Sequence, residues 1–135
     1  MRRLDEALAG VSETAPTFVE GTGFLDGTDE DIERAVEAAR AADVAVVTVG
    51  DIAGLFGGGT SGEGCDVVDL SLPGRQGELV DAVLDTGTPT VLVLVTGRPY
   101  ALGRYADRCA AIVQAFMPGV EGADAIAGVL SGRVN

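Results

Sequence analysis

At 135 residues and 47% apolar composition, the chain has the size and apolar content of one folded domain rather than of a disordered segment. Its 21 acids against 9 basic residues, every one an arginine, give a net charge of -12, a field that repels nucleic acid and anionic lipid. No histidine is present, which removes the usual general base and the commonest metal ligand, and no apolar run reaches the roughly 18–20 residues needed to span a bilayer.

The opening MRRLDEALAG is basic like the start of a signal peptide, but Asp5 and Glu6 interrupt the apolar stretch such a peptide requires. A soluble chain is expected, with the cytoplasm slightly favoured. Residues 4–10 read as a short helix and residues 16–21 as a short strand. DEDIERAVEAARAAD (29–43) predicts a helix: Thr28 or Asp29 can cap it, acids fill its first turn, and Ile32, Val36 and Ala39 share one face. VAVVTVG (44–50) is short, β-branched and closed by glycine, as in a parallel strand buried on both faces. A long glycine-rich loop follows. GRQGELVDAVLDTG (74–87) predicts a helix with Pro73 at its start and Gly87 at its end. PTVLVLVTG (89–97) is a second buried strand, PYALGRYAD (99–107) a short helix, CAAIVQAF (109–116) a third strand and GVEGADAIAGVLSG (119–132) a last helix.

Strands alternating with helices at this spacing predict an α/β fold: a three-layer α/β sandwich with a mainly parallel sheet, joined by right-handed crossovers. No internal repeat or linker divides the chain, so residues 1–135 read as one domain. The sequence stops directly after a helix, where such a fold returns to its sheet, so the domain reads as truncated at its C-terminal end. Cys65 and Cys109 have no metal-ligand spacing, cannot build a disulfide framework and read as small buried or loop residues. No metal and no cofactor are expected.

The loop 50–73 leaves the carboxyl end of the first strong strand, where parallel α/β sheets bind ligands. Two chemistries compete there. Gly57, Gly59 and Gly62 satisfy G-x-G-x-x-G, the dinucleotide fingerprint, but that fingerprint runs straight from strand into helix, and here EGCDVVDLSLP intervenes. A P-loop lacks its lysine. The other chemistry is that of carboxylates: Glu63, Asp66 and Asp69 lie close together, with Asp51 at the loop's start. A glycosidase needs two carboxyl groups across its scissile bond. The glycines beside Glu63 would let the backbone approach a ligand and let the loop move.

Four passages carry a resemblance: the SGEG-x-D loop (61–66), DL-x-LPG-x-Q-x-EL (69–79), GRP (97–99) and PG-x-EG (118–122). In this order, from about Phe18 to Asn135, the chain resembles the C-terminal α/β sandwich domain of glycoside hydrolase family 3, the β-glucosidase and β-xylosidase type. The resemblance implies a retaining β-glycosidase whose N-terminal (β/α)8 barrel carries an aspartate nucleophile, while this domain lends a loop to the same site. It implies that Glu63 is the catalytic acid/base residue and that Asp66 shapes the loop or contacts the sugar. Many members carry arginine after that aspartate, where this chain has Val67. The barrel of the same parent and a β-glycoside substrate are then the partners, with no nucleic acid and no membrane, and the isolated chain is expected to be inactive. Arg98 is expected to pair an acid, Glu121 to cap a helix or contact another domain, and Tyr100 and Tyr105 to pack. The alternative is a freestanding α/β module that holds a nucleotide or other small ligand on the glycine loop; a domain retained for structure or dimerisation alone is a third reading.

Overall fold

A computed structural model describes residues 2–135. The described chain forms two compact units. One is made by the residues up to Phe18 together with Met117–Asn135, and the other is Val19–Phe116.

The larger unit is α/β with a parallel sheet, as expected. Its strands are β1 (Ala45–Gly50), β2 (Thr90–Val95) and β3 (Ala111–Gln114), in the order β1-β2-β3 among the described residues. All pairing is parallel: Ala45 stands opposite Thr90, and Leu92 opposite Ile112. β2 is central, which explains its uninterrupted apolar run: Leu92, Val93 and Leu94 are wholly buried. β1 departs from the expectation of burial on both faces. It alternates, with Val47 and Val49 inside and Val46 and Thr48 outside, because part of one of its faces is uncovered. No strand forms at residues 16–21, which pair with no other segment among the described residues.

Two helices of this unit are designated α2 (Asp29–Arg40) and α3 (Gln76–Leu84), after a shorter α1 (Leu4–Ala9) in the other unit. They pack together, and α3 lies on β1 and β2 through Leu79, Val80 and Val83. The side chain of Gln76, buried at the start of α3, ties the helix to the sheet: its Oε1 accepts from Gly50 N at 2.7 Å and its Nε2 donates to Gly50 O at 2.9 Å and Phe24 O at 3.0 Å. The helix expected over 99–107 contracts to the single turn α4 (Gly103–Ala106), since the backbone ahead of it is committed to the loop, Ala101 N donating to Leu70 O at 2.8 Å. In the smaller unit α1 packs on α5 (Gly122–Leu130), burying Ala7, Ile126 and Ala127, and Arg2 pairs with Asp124 at 2.5 Å.

The start of α2 is closed by a reciprocal cap. Thr28 Oγ1 accepts from Asp31 N at 3.2 Å, while Asp31 Oδ2 accepts from Thr28 N and Thr28 Oγ1, each at 2.8 Å. These bonds, chiefly the one from the Thr28 backbone, and then the Arg34 guanidinium, hold the Asp31 carboxyl below its ordinary value of 3.8. A carboxyl depressed in the folded state stabilises above its unfolded pKa and loses that contribution as pH falls through its folded one. Asp31→Asn therefore lowers the urea midpoint at about pH 6, and the deficit closes as the pH is taken down from the ordinary value of 3.8 through the lower folded one. Parallel titrations of the two proteins check this; a deficit that does not change with pH contradicts it.

Candidate active site

The loop between β1 and α3 begins at the carboxyl edge of the sheet and closes on itself. Ile52–Phe56 runs beside Thr60–Glu63: Thr60 N donates to Ile52 O at 2.9 Å, Gly54 N to Ser61 O at 2.8 Å and Phe56 N to Glu63 O at 2.7 Å. Ala53 and Ser61 form a parallel bridge. Glycine permits this crossing. Gly62 sits at φ +125°, and a Cβ there would overlap the Gly54 carbonyl oxygen. A Cβ on Gly59 would meet Ile52 O at 2.5 Å.

Gly59 and Gly62 thus serve close contact of the loop with itself. The G-x-G-x-x-G match gains no support from this geometry. Gly59 and Gly62 lie in the crossing, a Cβ on Gly57 would meet nothing within 4 Å, and residues 63–75 separate all three from α3.

Three of the four candidate carboxylates lie on the loop's outer side. Glu63 is exposed, and its carboxylate makes no hydrogen bond or ion pair among the described residues, although its carbonyl is held by Phe56 N. Asp66 is also exposed. It lines an open depression of about 340 Å³ with Thr60, Val67, Asp69, Ser71 and Tyr100. Glu63 is not part of that lining, but the adjoining Gly64 and Cys65 are. Asp69 is committed locally: Ser71 N donates to it at 2.8 Å and Ser71 Oγ at 2.9 Å, which lowers its pKa.

Asp51 is different in kind. It is 7% exposed and accepts from Thr60 Oγ1 at 2.7 Å, from Gly97 N at 2.9 Å and from the Tyr100 hydroxyl. A carboxylate so engaged joins the ends of β1 and β2 and the loop, and leaves no open flank for a substrate. Tyr100 packs as expected; burial first, then the Asp51 carboxylate, push its hydroxyl pKa well upward. Tyr105 is buried beside α3 and shifts upward for the same first reason.

Arg98 pairs no acid among the described residues. Its Nη2 donates to Thr60 O at 2.9 Å and Cys65 O at 2.5 Å, and its Nε is buried without a partner among the described residues. The sequence GRP identifies the arginine but not its acceptors, so this contact and the one from Thr60 to Asp51 could not be read beforehand. Glu121 stands at the N-cap position of α5 but makes no capping bond. Cys65 is buried and Cys109 half-buried; both are free thiols, and burial raises the Cys109 pKa.

The outer surface of the loop is apolar as well as acidic. Leu55, Phe56, Val67, Val68 and Leu70 are all exposed, Phe56 by 80% and with φ +51°.

Comparison with known proteins gives this arrangement its relatives. The family profile described as "Glycosyl hydrolase family 3 C-terminal domain" matches residues 2–135. A β-xylosidase of Formosa agariphila is 35% identical over 118 residues, 87% of this chain and 16% of the enzyme. A periplasmic β-glucosidase of Salmonella typhimurium is 39% identical over 104 residues, 77% of this chain and 13% of the enzyme. Among solved structures, the β-glucosidase of Listeria innocua in complex with isofagomine superposes with a TM-score of 0.81 at 27% identity, over 97% of this chain and 17% of that one. DesR, a β-glucosidase from Streptomyces venezuelae in complex with D-glucose, gives 0.68 at 37% identity, over 78% and 12%. The chain therefore spans less than a fifth of the length of each of these enzymes. With its profile matched from Arg2 to Asn135, the chain belongs to glycoside hydrolase family 3, as that family's C-terminal domain.

Proposed function

We propose that this domain supplies the acid/base residue, Glu63, to a retaining β-glycosidase of β-glucosidase type, whose N-terminal (β/α)8 barrel supplies the nucleophile and most of the sugar site. The observation that carries this reading is the state of Glu63: a carboxylate free of partners on an exposed loop whose backbone is braced on both sides. An acid committed to an arginine could not cycle its proton; a free one can. In the first step Glu63 protonates the glycosidic oxygen as the aglycone leaves and the barrel's carboxylate bonds to the anomeric carbon. In the second, Glu63 takes a proton from the water that attacks that carbon, and the nucleophile departs. Asp66, two residues beyond Gly64 and facing the open depression, orders the loop or contacts the substrate. The apolar side chains of the loop cover the neighbouring domain and exclude water from the shared pocket.

One carboxylate cannot carry out a double displacement, so the 135-residue chain alone hydrolyses an aryl β-glucoside at the background rate, while the full-length parent turns it over and releases the β-anomer first. A proton NMR time course of both proteins checks this. Hydrolysis by the chain alone, or first release of the α-anomer, overturns the proposal.

A further inference from the structure

The geometry points to Arg98 as the positioning residue of the acid/base loop: its guanidinium, anchored at the carboxyl end of the central strand, fixes the four residues that contain Glu63. This inference rests on the role proposed for Glu63.

Arg98 follows β2 by three residues, and β2 is the most deeply buried strand of the sheet. One nitrogen, Nη2, donates to the carbonyls of Thr60 and Cys65. Those residues bracket Ser61, Gly62, Glu63 and Gly64, so a single group holds both ends of the segment. The near end is held a second time, since Thr60 Oγ1 donates to Asp51, whose other oxygen accepts from Gly97 N beside Arg98. Across the loop, Phe56 N holds the Glu63 carbonyl. Every one of these bonds restrains backbone or the Thr60 hydroxyl, and none touches the Glu63 carboxylate.

That division has a chemical use. An arginine paired to Glu63 would stabilise its ionised form and leave it without the proton that a general acid has to deliver. An arginine that bonds the carbonyls on either side restrains the loop and leaves the carboxyl free to give and take a proton. Gly62 and Gly64 contribute little stiffness of their own, being at φ +125° and +71°, so the restraint has to come from outside the segment.

Arg98→Ala in the full-length parent displaces the acid without removing it. With kcat/KM read across a series of aryl and alkyl β-glucosides, the loss is about 10–100-fold for poor leaving groups, which need protonation, and under about threefold for the dinitrophenyl glucoside, which does not. Arg98→Lys, whose ammonium keeps the charge but not the planar fork, falls between the two on the poor leaving groups. A purely structural role lowers every substrate by the same factor, because it changes only the amount of active enzyme; that result, or no loss at all, overturns the inference. If the alanine variant does not fold, the lysine variant decides by the same two patterns. Glu63→Ala runs in parallel: a flat response there sinks the acid/base reading itself, whereas a steep one with a flat Arg98 series sinks only the positioning role.

Discussion

Glu63→Ala in the full-length enzyme lowers kcat/KM by about 10²–10⁴-fold on β-glucosides with alkyl or sugar leaving groups, the range that a positioned general acid contributes. The dinitrophenyl glucoside keeps nearly its full rate of first bond cleavage and instead accumulates the glycosyl-enzyme, because the second step has lost its base. The side chain is exposed and bonds to nothing among the described residues, so folding stability stays within about 0.5 kcal/mol of the parent. A large kinetic effect with no thermodynamic one separates a reacting group from a structural one, and steady-state kinetics beside urea unfolding measure both. Uniform loss on all leaving groups, or none, is the contrary result.

Asp51→Ala has the opposite signature. The substitution leaves the Gly97 N–H, the Tyr100 hydroxyl and the Thr60 hydroxyl without their acceptor at a site that is 7% exposed. A buried donor without a partner costs about 1–3 kcal/mol, and the Thr60 hydroxyl can turn elsewhere, so the expected loss is about 3 kcal/mol. Asp51→Asn keeps one acceptor oxygen and costs less. Urea unfolding of the domain with each substitution tests the ranking; an alanine variant within about 1 kcal/mol of the parent means that the carboxylate does not hold the sheet and loop together.

The two acids illustrate how far the sequence could be read. Asp51 and Glu63 are equally plain as carboxylates in a polar, glycine-rich stretch. Only the fold shows that one accepts three hydrogen bonds at the end of β1 and that the other faces solvent. The elements were legible where a single physical cause dominates. TVLVLV is central and buried on both faces, and it reads as such. AVVTVG is nearly as apolar, yet Val46 and Thr48 are exposed, because an apolar run does not disclose whether both faces of a strand are covered. Residues 16–21 look extended and are not paired, since strand formation needs a partner that local composition does not specify. The glycines were legible as a loop but not in purpose: nothing in GGGTSGEG says that the missing Cβ of Gly62 makes room for Gly54. Arg98 was singled out, but its partners are carbonyls, which every residue has and no sequence pattern marks.

The most direct measurement is chemical rescue of full-length Glu63→Ala on the dinitrophenyl glucoside with added azide, with the product identified by NMR. Azide needs no base, so it attacks the waiting glycosyl-enzyme in place of water, and the account predicts restored turnover with β-glucosyl azide as the product. Turnover unmoved by azide, with only glucose released, contradicts the assignment of Glu63.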